Sequence, residues 1–297
     1  MLDYRKIIRN REFRLKLIRF LSFIPDKIYL KIVYWIKTGR KLNLENPKLF
    51  SEKQNWLKLN NIHLEYTDLV DKIKVRKYIE EAIGEKYLIP LLGAWDKFED
   101  IDFEKLPDKF VLKCNHDSGS VKIIKDKKNI NKKELKKFYD FRLKLNPFCL
   151  GREYPYKNVK PKIIAEKYME QKFGTDIPDY KFYCFNGKPE LLLVIQERFK
   201  NKKTNYYDMN FNCLDIRDLL ESKDSIEKNN EIKPIQFEEM KRLAGLLSKN
   251  KEFVRVDFYL INEKIYFGEL TFFDSGGFTI LEPIEWEIKF GEMIDIK

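Results

Sequence analysis

Near the C-terminus, two apolar segments carry charges where the core of a sheet would not tolerate them alone. Residues 253–260 read FVRVDFYL and residues 264–271 read KIYFGELT, with Ile261, Asn262 and Glu263 between them. The alternation predicts two strands joined as a hairpin, with Arg255, Asp257 and Tyr259 on one face of the first. Glu269 and Thr271 share a face of the second. An uncompensated charge is costly in such apolar surroundings. An acidic residue on each of two adjacent strands makes a hard, oxygen-rich site. Magnesium uses such sites, taking one or two carboxylates and completing its shell with phosphate oxygens and water. Arg255, two residues from Asp257, would sit beside phosphates and stabilise developing negative charge. The competing reading is a pair of carboxylates on a solvated hairpin face.

The bulk properties narrow the alternatives. With 297 residues, 43% of them hydrophobic, the chain can build one large or two smaller cores. No run of about 18 uncharged apolar residues is present to span a membrane. The N-terminus lacks a signal-peptide pattern, so a cytosolic location is expected. The four cysteines (Cys114, Cys149, Cys184, Cys213) are widely spaced and are expected to be reduced, without a disulfide framework or zinc site. Two histidines, His63 and His116, exclude a His-rich metal centre and leave little for a Ser-His-Asp triad. A formal charge of +11 invites nucleic acid, an anionic membrane or anionic substrates. Lysine is spread along the whole chain, however, and no zinc-finger, RNP or helix-turn-helix pattern accompanies it, so nucleic acid is not an expected partner.

The front of the chain reads as helical. Ile7, Ile8, Phe13, Leu17, Ile18 and Leu21 roughly keep a helical period among basic residues, until Pro25 breaks the run. This basic amphipathic start fits either peripheral contact with the inner face of a membrane or ordinary packing. Ile28 to Ile36 form a second amphipathic stretch that Gly39 would end. Ser51 followed by Gln54 suggests a capping box before a third helix. A further helix is expected over 67–83, with Gly84 just past its end. Short strands are expected at 87–92, 110–113, 121–124 and 163–168, and a helix over 131–146. More β structure follows at 181–186, 190–196, 253–260 and 264–270, with a surface loop around 220–234 and a helix over 236–250. The fold class is therefore α+β, with a helical N-terminal segment (1–66) and two sheet-containing lobes (67–165 and 166–297).

Four more constellations carry chemistry. Lys113 ends the apolar strand FVLK, an expensive place for an ammonium unless it meets an anion. The turn Ser118-Gly119-Ser120 that follows offers N–H groups and hydroxyls suited to phosphates. His116 lies in the same segment, as a plain loop residue or a substrate contact. IIAEKYM (163–169) brings Glu166, Lys167 and Met169 to the exit of a strand. DYKFYCFNGK (179–188) holds Asp179 and Lys181, and Arg198 ends the next strand. Asp71, Lys72 and Arg76 are placed on one predicted helix, with Lys72 and Arg76 a turn apart.

Taken in order, these pieces resemble the ATP-grasp enzymes, over about residues 67–277. The hairpin resembles the metal-binding R-x-D-F and E-x-N strands of D-alanine–D-alanine ligase, with Thr271 where the family has Asn. The resemblance implies Asp257, Glu269 and Thr271 as magnesium ligands, with Asp274 as a further ligand or a turn residue. It implies Arg76, Lys113 and the Ser118–Gly119–Ser120 loop as phosphate contacts. Glu166, Lys167 and Met169 would read adenine, and Asp179 would lie near the ribose. Arg255, Lys181 and Arg198 would hold the acyl phosphate, although lysine lacks the bidentate fork of arginine at position 181. ATP and Mg2+ are the implied cofactors, in a fold of two lobes with the nucleotide between them. The implied reaction joins a carboxylate to an amine through an acyl phosphate.

The segments FSEK, YLIP, FVLKCNHDSG and DYKFYCFNGK further resemble the TupA-like branch, associated with teichuronopeptide and other surface-polysaccharide biosynthesis. A carboxylate-bearing glycan or amino acid and an amine are then the expected substrates. No Rossmann-like lobe with its glycine fingerprint precedes the strands, so the acceptor site does not carry over. The alternatives are a glycosyltransferase of surface-polysaccharide synthesis, an ATP-grasp phosphotransferase, or a basic scaffold at a membrane. The first would need a D-x-D metal motif, and only Asp100-Ile101-Asp102 matches, in a charged loop.

Overall fold

The computed structural model describes residues 21–172, 176–197, 202–219 and 232–296. The amphipathic run expected from Ile7 to Ile18 lies outside the described residues, as do Arg198 and most of the loop expected around 220–234. The chain divides into two compact units. The larger takes the described residues of Met1–Ile62, Cys149–Glu153 and Gln171–Lys297, and the smaller takes His63–Phe148 and Tyr154–Glu170.

The larger unit opens with α1 (Asp26–Thr38) and α2 (Phe50–Asn60). Pro25 stands at the N-cap of α1, and Gly39 ends it at φ 71°, a left-handed conformation that costs glycine nothing. Tyr29, Leu30 and Tyr34 of α1 pack with Leu42 and Phe278. The start of α2 differs from the expected capping box. Its N-cap is Leu49, and Glu52 accepts the backbone N–H groups of Lys48 (2.9 Å) and Leu49 (3.1 Å). Because one carboxylate serves these donors, Ser51 makes a tertiary bond instead, donating to Glu287 at 2.7 Å.

In the smaller unit, one helix was expected over 67–83. The structure has two, α3 (Tyr66–Val70) and α4 (Val75–Ala82). Between them Asp71 turns extended, and its Oδ1 accepts from the Ile73 N–H and from Asn115 Nδ2, both at 2.9 Å. A side chain that bonds the backbone two residues ahead competes with the helix. Asp71 and Lys72 therefore lie in a break, and only Arg76 is helical. Next come β1 (Leu91–Trp95), β2 (Phe110–Cys114), β3 (Lys122–Ile124), α5 (Lys132–Arg142) and β4 (Ile163–Lys167). The strand expected at 87–92 begins later, after a 3-10 turn at Glu85–Tyr87. The antiparallel sheet has the order β1-β4-β2-β3. Leu135 and Tyr139 of α5 pack on Phe110, Leu112, Ile163 and Ala165.

The larger unit then continues through β5 (Asp179–Phe185), β6 (Lys188–Gln196), β7 (Lys203–Tyr207), β8 (Cys213–Leu214) and β9 (Arg217–Asp218). It ends with α6 (Phe237–Ser248), β10 (Phe253–Ile261), β11 (Lys264–Thr271), β12 (Leu281–Glu282) and α7 (Ile284–Glu292). Six strands form an antiparallel sheet of order β11-β10-β5-β6-β7-β8. On one face, Phe182 meets Phe258 edge-on at 6.1 Å and Phe237 of α6 at 6.0 Å. On the other, Phe50 of α2 meets Phe253 edge-on at 5.1 Å, and Phe290 of α7 stacks on Phe185 at 5.7 Å. Each such buried ring contributes roughly 1.5–3 kcal/mol. The β10–β11 turn is only Asn262 and Glu263, both at positive φ, as a tight two-residue hairpin requires. Farther along, Asp257 pairs with Glu269 but Phe258 pairs with Phe267, leaving Gly268 as a bulge. No helix among the described residues is long and apolar enough to cross a membrane.

Candidate active site

β10 runs between β5 and β11, so its residues have neighbours on both sides. Register sets Asp257 beside Lys181 and Glu269, and Arg255 beside Tyr183 and Thr271. Arg255 grips Asp257 with two parallel bonds, Nε to Oδ1 at 2.7 Å and Nη2 to Oδ2 at 2.8 Å. Its Nη2 also lies 3.2 Å from Glu269 Oε1 and from Thr271 Oγ1, and its Nη1 donates to Asp274. Lys181 Nζ donates to Asp257 Oδ2 and stands 3.8 Å from Asp179. Thr271 donates to Glu269 Oε1 at 3.2 Å. Tyr183 donates to Asp274 at 3.1 Å, and Thr279 donates to the same oxygen. Asp274 thus begins a turn and is also a buried member of this network.

The electrostatics follow from burial. Desolvation alone would raise the Asp257 carboxyl, but the charges of Arg255 and Lys181 outweigh it and hold the group below the usual carboxylate range. The surrounding carboxylates correspondingly hold Arg255 well above its ordinary value against the opposing effect of burial. Four carboxylates (Asp179, Asp257, Glu269, Asp274) face two cations (Arg255, Lys181), which leaves two negative charges in excess. Among the described residues, no three or more His, Cys, Asp or Glu side chains form a ready-made metal cage. Magnesium needs none when phosphate oxygens share its shell. The hard oxygen donors and the charge excess fit that ion, with Glu269, whose side chain is 40% exposed, as the open member.

In the smaller unit, Lys113 Nζ lies 2.6 Å from Glu166 across β2 and β4. Lys167 is exposed and Met169 half-buried. The Lys167 N–H donates to Pro90 O at 2.9 Å. Arg76 donates to Ile89 O at 2.9 Å. Arg142 braces the 118–120 turn, donating to Ser118 O at 2.6 Å and to Asp117 Oδ2. Ser120 is buried, and its hydroxyl donates to Asp117 and accepts the Cys114 N–H at 2.8 Å. His116 is buried with Nε2 3.2 Å from Leu145 O, and burial lowers its pKa. Asp102, of the Asp-Ile-Asp string, accepts the Glu104 N–H at the start of a 3-10 turn.

The structure therefore gathers Arg255, Lys181, Asp257, Glu269, Thr271 and Asp179 on one face and pairs Lys113 with Glu166. Arg76 is tied to backbone, and Arg198 lies outside the described residues. Sequence reasoning missed Tyr183, whose hydroxyl fixes Asp274. Its place on the same face as Lys181, two residues away in β5, was the available signal.

A profile of the family described as TupA-like ATPgrasp matches residues 52–295. The chain belongs to this family. Its α+β architecture is the ATP-grasp fold. Among solved structures, the chain is similar to a D-alanine–D-alanine ligase from Bacillus anthracis, at 16% identity and a TM-score of 0.43, covering 82% of this chain and 67% of that one. The corresponding ligase from Helicobacter pylori matches at 11% identity and a TM-score of 0.40, covering 83% and 69%. An L-amino acid ligase from Bacillus licheniformis matches at 14% identity and a TM-score of 0.40, covering 92% of this chain and 57% of that one. No curated protein matches the sequence.

Proposed function

We propose that this protein uses ATP and magnesium to join a carboxylate to an amine, and that it modifies a bacterial surface polysaccharide such as a capsule, O-antigen or teichuronic-type polymer. The observation that carries the reading is the buried face of β5, β10 and β11, where two fixed cations share four carboxylates. Asp257 and Glu269, with Thr271, would hold magnesium. In the smaller unit Lys113 and Arg76 would hold phosphates beside the 118–120 turn, and Glu166, Lys167 and Met169 would receive the adenine. When bound, Mg-ATP supplies the phosphoryl group that activates the carboxylate. Arg255 and Lys181 are preorganised by their ion pairs to meet the negative charge that develops there. Arg198 shares that role by its position in the sequence, and Asp179 lies beside Lys181 where the ribose is expected. The polysaccharide assignment rests on membership of the TupA-like family.

The protein is assigned to the cytoplasm, where ATP is supplied. Peripheral contact with the inner membrane face is supported by exposed Ile28, Ile32 and Trp35 on α1, beside exposed Lys27 and Lys31. Co-sedimentation with phosphatidylglycerol vesicles, but not phosphatidylcholine vesicles, tests that contact. The test of function is a thermal shift with Mg-ATP on wild type and on the Asp257→Ala, Glu269→Ala and Lys113→Ala variants. A ligand at a hundred times its dissociation constant stabilises by about 2.7 kcal/mol, and the variants should lose most of that response. Wild type responding to UDP-sugars and not to ATP would overturn the reading in favour of a glycosyltransferase. ADP release from pairs of uronic or amino acids with amines then distinguishes ligation from phosphoryl transfer.

A further inference from the structure

A cleft of about 440 Å3 opens in the larger unit. Its walls come from four places in the chain. Trp56 and Asn60 stand one turn apart on α2, above the buried Leu57, and Asn61 lies just past the end of the helix. The β5–β6 turn contributes Asn186. The connection from α6 to β10 contributes Asn250, Lys251 and Glu252, and the stretch after α7 contributes Asp295. These walls are tied to one another. Asn186 and Gly187 take φ values of 49° and 80°, as a two-residue hairpin turn requires, and the Asn186 N–H donates to Glu252 O at 3.1 Å. Asn186 Nδ2 donates to Met293 O at 2.8 Å, and Lys53 of α2 donates to Ile294 O at 2.7 Å. The chain leading to Asp295 is thereby pinned between the turn and α2. The cleft is pre-formed, and its volume is that of a small-molecule site. Glu252, at its edge, stands just before β10, roughly 15 Å along the strand from Asp257.

The lining selects among ligands. Glu252 and Asp295 outnumber Lys251, so a phosphate or nucleotide would meet net repulsion. An apolar guest would cover the amides of the four asparagines without pairing them, which is costly. Among the described residues, no hydrogen bond or ion pair reaches the side chains of Asn61, Asn250 or Asp295, and no other aromatic ring lies against Trp56. The Trp56 indole is half-buried in the wall. A side-chain amide both donates and accepts, which suits adjacent hydroxyl groups that do the same. An indole offers a flat apolar face with a polar edge, which suits the C–H face of a pyranose. The Asp295 carboxylate adds an acceptor for a hydroxyl or, more strongly, for the ammonium of an amino sugar.

We propose that this cleft is a glycan-binding subsite, holding a neutral or amino-sugar ring against Trp56 with hydrogen bonds to Asn61, Asn250 and Asp295. The subsite is distinct from the charged face of β5, β10 and β11, and sugar binding there requires neither ATP nor magnesium. It therefore goes beyond the ligase reading and does not depend on it. Under that reading, a polymer gripped at the cleft stays bound while a different sugar unit of the same chain reacts.

Saturation-transfer NMR on the full chain tests the subsite, with glucose, galactose, N-acetylglucosamine, glucosamine and short linear oligomers of each as probes. At least one probe should receive saturation at its ring C–H protons without ATP or magnesium present. Trp56→Ala should weaken that binding about tenfold. Asn250 has a φ of 60°, so Asn250→Gly keeps the backbone and removes only the amide; it should weaken binding several-fold and melt with wild type. Both variants should keep the Mg-ATP thermal shift, Glu269→Ala should bind the same sugar as well as wild type does, and inorganic phosphate should not compete. The proposal is overturned if no probe binds, if binding is unchanged in both Trp56→Ala and Asn250→Gly, or if phosphate displaces the sugar. Binding that disappears in Glu269→Ala would move the sugar to the charged face and overturn it as well. A wild type that binds sugar at the cleft but ignores Mg-ATP would remove the ligase reading and leave the subsite standing.

Discussion

The two units solve the problem of charge on a sheet in different ways. In the smaller, Lys113 meets Glu166 one to one, with 17% and 11% of their side chains exposed. In the larger, Arg255 and Lys181 are shared among four carboxylates, and Asp257 is only 2% exposed. A balanced pair is complete as it stands. A surplus of negative charge is not, and it must be relieved by water at the exposed Glu269, by a proton or by a further cation. The difference separates a closed ion pair from a cluster with negative charge to spare.

Substitutions can break that contrast in graded steps. Asp257→Ala strands Arg255 and Lys181 without their main carboxylate. It should cost about 3–5 kcal/mol in chemical denaturation and erase the Mg-ATP response. The sign of its pH dependence is fixed too. A carboxyl held below its ordinary value contributes stability above the unfolded pKa, about 3.9 for Asp. That stability disappears as pH falls through the folded value, so wild type should lose its margin over Asp257→Asn in strong acid. In the smaller unit, Asn115 is buried and bonds Asp71 Oδ1, Lys160 O and the Lys162 N–H. Asn115→Ala should therefore cost about 2–3 kcal/mol, measured the same way, since several polar groups lose their partner. Glu166→Gln should cost about 1 kcal/mol, because water can reach the Lys113 ammonium. A loss as large as that of Asp257→Ala would erase the distinction between the units. At the bottom of the series, the surface pair of Lys74 and Asp68 should contribute nothing measurable, and Lys74→Ala should melt with wild type.

The hairpin and its polar face were legible because alternation is a local property. Arg255, Asp257, Glu269 and Thr271 follow from counting by twos along two short strands. Helix ends were less so. Ser51 carries the signature of a capping residue, but Glu52 meets the local donors and Ser51 bonds Glu287 in α7, a choice visible only once the chain is folded. The helix expected over 67–83 breaks because Asp71 finds both its own backbone and Asn115, which is 44 residues away. Arg152 gave no periodic signal at all: it stands at a positive φ on a short irregular segment, held by contacts to Asp26 and the Tyr29 ring more than a hundred residues away in sequence. Ser120, read as a phosphate contact, has a hydroxyl engaged with Asp117 and the Cys114 N–H, a bond set by the shape of its own turn.

The bulge at Gly268 gives β11 two reading frames. On one side of it, odd-numbered Glu269 and Thr271 lie across from Asp257 and Arg255. On the other side, odd-numbered Phe267 and Ile265 lie across from even-numbered Phe258 and Leu260, and both are buried. One glycine thus acts as a parity switch that lets the same numbering serve the charged face and then the core. Deleting that single residue would leave Glu269 and Phe267 as direct neighbours, which alternate onto opposite faces of a plain strand. The pairings with Asp257 and Phe258 would then close as a regular ladder, and what would be lost is the local bend that the extra residue puts beside the acids.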